Sequence, residues 1–244
     1  MLRHLRIPIV GMAALAGLGW PGFMLAQDAS EEIERLQKSV GVLRELTATP
    51  DDAIPQYLLE RAEAIVVIPS LVRGGFVIGA KHGKGVISVR DRANNTWSAP
   101  AFMNMTGGSI GWQIGAEAVD LVLLVMNKGG VEQLLEDRFT IGGNLSVSAG
   151  PVGRSAAAAT NAQVSSQILA YSRSQGLFAG ATLEGAALHE DKDSNRAFYG
   201  TAVTARTILA ERGGLSSTPA AATTWIDTLQ RLTMPKMAGK ELGR

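Results

Sequence analysis

Glycine restricts the fold of this chain more than any other residue. The sequence has 28 glycines in 244 residues and only 18% charged residues. Glycine weakens a helix interior while permitting tight turns and close backbone approaches. From Gly74 onwards, glycines punctuate β-type runs at residues 76–80, 85–90, 97–103, 109–115 and 121–126. The pattern predicts a meander of short strands. An apolar run at 64–68, closed by Pro69, adds a buried strand ahead of it. Residues 128–137 break the pattern, with Val131, Leu134 and Leu135 on one helical face. Alternation returns at 139–149, where Ile141, Leu145 and Val147 face one side, and later strands are expected at 167–172 and 177–188.

The two ends have a different period. Ile33, Leu36, Val40, Leu43 and Leu46 recur at helical spacing after Ser30-Glu31-Glu32, a start suited to a helix N-terminus, so one amphipathic helix is expected to about Thr47. Its polar face mixes Glu31, Glu32, Glu34 and Glu45 with Arg35, Lys38 and Arg44. That is not the basic face that anionic lipid attracts, so the helix is expected to pack on the protein's own core. Thr49-Pro50-Asp51-Asp52 ends it, and Pro55 opens a short second helix reaching Arg61 or Ala62. Helical periodicity returns at 204–211 and 221–232. With no fixed-period repeat and no linker, one domain is expected: a helical segment at 27–62, a core at 63–212 and a helical tail at 213–244. The predicted fold class is α+β, a glycine-rich, mainly antiparallel sheet able to curl towards a barrel, flanked by N- and C-terminal amphipathic helices.

Residues 1–26 read as a secretory signal: Arg3, His4 and Arg6 precede an apolar run from 7 to 18, and Met24-Leu25-Ala26 precedes the cut. A periplasmic protein starting at Gln27 is expected, a retained membrane anchor being the alternative. Losing Arg3 and Arg6 moves the formal charge from +1 to −1, so nothing global calls for nucleic acid. With no cysteine there is no disulfide, thiolate metal site or cysteine nucleophile.

Three short patterns carry possible chemistry. Gly107-Gly108-Ser109-Ile110-Gly111 matches the nucleophile elbow G-x-S-x-G, and His189 with Asp120 or Asp137 would complete a triad in hydrolase order. The elbow needs a helix after the serine, whereas Trp112-Gln113-Ile114-Gly115 alternates like a strand, so a glycine-rich strand is preferred over a hydrolase. Asp191, Asp193 and Asn195 open like a calcium loop. The pattern then fails, with Arg196 where glycine is needed and Ala202 where the bidentate glutamate belongs, so a polar turn is preferred and no metal is assigned. Between 72 and 92, Arg73, Lys81, Lys84, Arg90 and Arg92 face only Asp91. If residues 79–85 form a hairpin tip, Lys81, His82 and Lys84 project together and glycine amides add donors for a phosphate, the competing reading being an ordinary solvated hairpin. No phosphate-binding Walker pattern fits, since Ile78 stands where its first glycine belongs.

Several blocks then occur in one order: Ile68-Pro69-Ser70, the glycine-rich run from 74 to 86, Trp97-Ser98-Ala99-Pro100-Ala101-Phe102, residues 107–115, Asp120-Leu121-Val122, Ala149-Gly150-Pro151-Val152-Gly153-Arg154, residues 171–180, Leu183-Glu184-Gly185 and Asn195-Arg196-Ala197-Phe198-Tyr199. Over 40–212 the chain resembles the SYLF domain family. The resemblance implies a lipid-binding module with no catalytic residues and no cofactor. Eukaryotic members are associated with phosphoinositide-containing membranes, and a yeast branch with actin filaments as well. Those relatives join the domain to a Src-homology or FYVE module, which this chain does not show. An exported protein does not meet cytosolic actin, so the expected partner is an anionic phospholipid. The candidate head-group residues are Arg73, Lys81, His82, Lys84, Arg90 and Arg154, the last because it adjoins the glycine turn at 150–153. The alternative class is an envelope assembly protein acting through protein contacts.

Overall fold

The computed structural model describes residues 21–48, 54–136, 139–141, 143, 146–152, 166–172, 183, 185–211, 215 and 218–235, with backbone alone at 21–28, 73–79, 109–117 and 139. The expected signal segment up to residue 20, Asp137 and Arg154 lie outside these residues. So do the side chains of Arg73 and Ser109.

Helix α1 (Pro21–Ala48) leads into a short α2 (Gln56–Arg61) capped by Pro55. Two long strands follow, β1 (Ala64–Asp91) and β3 (Ala101–Val125), with the two-residue β2 (Thr96–Trp97) between them. Next come α3 (Lys128–Leu134), β4 (Phe139–Thr140), β5 (Val147–Ala149), β6 (Ile168–Ser172) and β7 (Ala187–Glu190). Helix α4 (Lys192–Tyr199), a π-helical turn (Thr207–Glu211) and α5 (Ala220–Thr233) complete the order. The sheet runs β2-β1-β3-β6-β5, with β7 pairing β3 and β4. Every pair is antiparallel except β5 with β6. The α+β class holds, as a strongly curled half-barrel.

The meander of short strands is corrected to two long ones. Pro69 does not end its strand: β1 continues through a bulge in which Pro69 and Ser70 oppose Asp120 alone. Proline tolerates a bulge because the ladder there needs no N–H from it. Ser70, at φ 54°, donates its own N–H to the Asp120 carboxylate at 2.9 Å. The expected hairpin tip at 79–85 is likewise mid-strand, paired residue by residue with β3 from Gly79↔Ser109 to Gly85↔Met103. The glycines here permit approach rather than turning. A Cβ on Gly83 would lie 2.6 Å from Ile68 Cγ2, and one on Gly85 2.5 Å from the Val67 carbonyl oxygen, so β1 curls back over its own first half. The strand expected at 97–103 is broken at 98–100, and that at 139–149 is split between β4 and β5. Of the strand expected at 177–188, residues 177–182 and 184 lie outside the described residues, and β7 begins at Ala187.

Each face of the sheet has its own apolar core. The inner face gathers Val66, Ile68, Leu71, Ile87, Met103, Met105, Leu121 and Leu123 with Val131 and Leu134 of α3 and Ile208 of the π turn. The outer face carries Ile65, Val67, Val86, Phe102, Val122 and Leu124 under α1, α2, α4 and α5. Leu36, Val40 and Leu43 form the buried stripe of α1, each fully buried leucine contributing about 2 kcal/mol. Ile33, at the head of the expected stripe, is instead 36% exposed. Helix α5 is fastened by two indole donors: Trp225 Nε1 to Ser88 Oγ at 2.8 Å, and Trp97 Nε1 to Thr233 Oγ1 at 3.0 Å. Among the described residues no helix is long and apolar enough to cross a membrane.

Candidate functional site

Helical cover of the outer face stops one step beyond Val86 and Phe102. Strand alternation places Lys84 and His82 of β1 next on that face, with Asn104 and Thr106 opposite them on β3. The first turns of the buried part of α1 and the start of α4 stand over this strip and enclose a cleft of about 570 Å³, which reaches from Glu31 and Glu32 through Lys84 and Asn104 to Asp193 and Arg196. A second hollow of about 410 Å³ adjoins it on the side of Lys38, Pro69 and Val72. His82, Lys84 and Glu31 line both.

The floor is a buried polar knot. Asp191 caps α4: its carboxylate accepts from the Ser194 N–H at 3.2 Å and the Ser194 hydroxyl at 2.8 Å. Arg35 of α1 reaches across to the same carboxylate, Nη1 to Oδ2 at 3.3 Å, and to Glu32 Oε1 at 3.4 Å. Its guanidinium also lies 5.1 Å from the Phe102 ring centre. Burial by itself would raise the Asp191 pKa, but the Ser194 hydrogen bonds and the Arg35 charge together hold the carboxyl below its ordinary value. Asn195, fully buried, accepts from the Phe102 N–H at 2.8 Å and donates to Glu190 Oε1 at 3.0 Å.

These placements revise the sequence candidates. Asp191 and Asn195 are a helix cap and a core staple, and Asp193 pairs with Arg196 on the surface at 3.0 Å. The three do not converge as a calcium loop, and no metal-binding group of His, Asp or Glu occurs among the described residues. Lys81 does not project with its neighbours: it is 6% exposed, on the face opposite His82 and Lys84. Arg90 is buried too, donating to the carbonyls of Glu60 and Thr233 and to Asn95 Oδ1, with its guanidinium near the Trp97 ring. It fastens α2 and the end of α5 to the sheet rather than facing a ligand. Among the described side chains of the proposed set, only His82 and Lys84 stand exposed together. Ser109 lies inside β3, paired with Gly79, so G-x-S-x-G has none of the strand-to-helix geometry of an elbow. Glu32 and Asn104, which give the cleft acceptors, carry no site signal in the sequence, and Asp191 stands out there only as the opening of the failed calcium loop. The signal for its place in the structure is Asp191-x-x-Ser194, a helix-cap spacing.

Residues 106–232, which include Thr106 of this strip and the helix α4 over it, match the family described as Ysc84, Las17-binding protein actin regulator. The chain belongs to the Ysc84 family. Protein YSC84 of Saccharomyces cerevisiae is 42% identical over 165 residues, 66% of this chain and 35% of the yeast protein. LAS seventeen-binding protein 3 of the same species is 41% identical over 165 residues, 66% of this chain and 36% of its own length. The human SH3 domain-containing YSC84-like protein 1 is 35% identical over 169 residues, 67% of this chain and 49% of its own length. The chain thus spans about a third to a half of these Ysc84 relatives. The Ysc84 description is of binding and regulation, not of a reaction.

Proposed function

We propose that this Ysc84-family chain is a non-enzymatic binding protein of the cell envelope that captures the phosphate of an anionic phospholipid head group at His82 and Lys84. One observation carries the reading. Lys38, Arg92, Arg196 and Arg35 each hold a carboxylate partner, whereas His82 and Lys84 are exposed on one face in two adjoining hollows, with no ion pair to any described residue. Pro69 and Val72, the latter 48% exposed, supply apolar surface beside them for the glycerol and first methylenes. Attraction of this kind is screened by salt.

The test is co-sedimentation with vesicles of phosphatidylcholine alone and with added phosphatidylglycerol, at low and moderate salt. Binding is expected to the anionic vesicles only, weakening as salt rises, and to fall with Lys84→Glu. Equal binding by Lys84→Glu overturns the site.

A protein partner is the second reading, favoured by the yeast relative named as LAS seventeen-binding. Assembly through apolar contacts would persist as salt rises, and no vesicle of either composition would be bound. Cytosolic actin is not a partner in the envelope setting proposed here.

A further inference from the structure

The cleft is not uniformly basic, and a phosphate alone does not account for it. Two buried acceptor atoms border it with nothing to accept. Glu32 is 3% exposed, and while its Oε1 takes the Arg35 guanidinium, its Oε2 accepts no hydrogen bond from any described residue. Asn104 Oδ1 is in the same condition. The other deep carboxylate, Asp191, is fully engaged by Ser194 and Arg35. Buried acceptors are almost always satisfied, so such a pair in the wall of a cleft marks where a donor from outside fits.

The donor's chemistry follows from the neighbours. Asn104 is the register partner of Lys84 across β1 and β3, so the two side chains leave one face from Cβ atoms about 5 Å apart, the acceptor beside the phosphate-seeking lysine. A ligand spanning them has an anionic group for Lys84 and His82 and, a short arm away, a group with several N–H donors for Glu32 and Asn104. An ammonium has three donors and a positive charge suited to a carboxylate. Among the described residues no three of His, Asp and Glu are grouped so as to hold a metal ion. We infer that the cleft selects a phospholipid whose head group carries a primary amine, phosphatidylethanolamine being the simplest case. The inference rests on the phosphate capture at His82 and Lys84 proposed above and extends it from anionic lipids to a zwitterionic one whose amine fits the acceptors. Choline has the same phosphate and the same net charge but no N–H, so phosphatidylcholine is the discriminating comparison.

The experiment is vesicle co-sedimentation of the full chain at one salt concentration, with phosphatidylcholine alone, with added phosphatidylethanolamine and with added phosphatidylglycerol. The ethanolamine vesicles are expected to bind at least about tenfold more tightly than phosphatidylcholine, the difference one good charged hydrogen bond makes. Excess soluble glycerophosphoethanolamine is expected to displace the protein. Asn104→Ala, at a side chain that is only half-buried, and Glu32→Gln, which turns an amide N–H towards the amine, are each expected to reduce the ethanolamine preference, with thermal melting confirming that both fold. Binding of phosphatidylglycerol with no preference for ethanolamine over choline overturns this inference and leaves the phosphate reading standing. Failure to bind any vesicle overturns both. An ethanolamine preference that survives both substitutions, or that the soluble head group does not compete for, places recognition elsewhere and also overturns it.

Discussion

Arg35 on α1 and Asp191 at the cap of α4, 156 positions apart in the chain, meet in a buried contact at 3.3 Å. The pair ties the first helix to one of the last and forms the floor of the cleft. Breaking such a pair from one side leaves a buried charge, which costs more than the pair itself contributes. Arg35→Met is therefore expected to lower unfolding free energy by about 3 kcal/mol. Urea denaturation measures it, and a loss within error of zero would show that α1 docks through its leucines alone.

Acid should expose the same contact. Because the Asp191 pKa is lowered on folding, its contribution is fully present above the carboxyl value of the unfolded chain and is lost as pH falls through the folded value. Stability should then decline below about pH 4, the range in which an unfolded aspartate takes up its proton. Asp191→Asn should flatten that part of the profile while lowering the plateau at neutral pH. An unchanged acid slope in the variant would assign the decline to other carboxylates.

The curl of β1 makes a steric prediction. At Gly85 an added Cβ meets the Val67 backbone oxygen at 2.5 Å, and backbone cannot move aside as a flexible side chain can. Gly85→Ala should cost about 2–3 kcal/mol, the upper part of the overpacking range. Gly108, where nothing lies within 4 Å, is the control, and Gly108→Ala should stay within about 0.5 kcal/mol. Melting temperatures of the two variants that fall together would remove close approach as the reason for glycine at 85.

Asn195 staples the Phe102 N–H to Glu190. Asn195→Ala should cost about 2 kcal/mol through the buried Phe102 N–H it leaves unpaired, Glu190 Oε1 keeping the Ala205 N–H. It should also speed hydrogen exchange at the Phe102 amide relative to its neighbours on β3. Exchange there that matches wild type would mean the amide has another acceptor.

What the sequence revealed depended on whether the partner lay nearby in the chain. The stripe Leu36, Val40 and Leu43 and the helix at the C-terminal end were legible because helical spacing is local, and the apolar run at 64–68 because burial on both faces leaves no polar position in it. Glycines 83 and 85 resemble a turn because the sequence does not distinguish a glycine needed for bending from one needed for contact. The contact in question, with Val67 and Ile68, exists only after the sheet has curled. The cleft was half legible. His82 and Lys84 stood out as charge beside glycine, but the acceptors opposite them did not. Asn104 acquires its meaning only from the register with Lys84, and Glu32 only from α1 lying over the sheet.

The cover of the outer face also imposes an order of assembly. Trp225 reaches Ser88 and Phe198 packs on Phe102, yet both covering residues are made long after the strands they shield. At synthesis rates of about 5–20 residues per second, several seconds pass in which Val86, Phe102 and Val122 have no α4 or α5 to cover them. A chain truncated before Lys192 would leave that apolar surface permanently open, so its fate should be self-association rather than a smaller folded product.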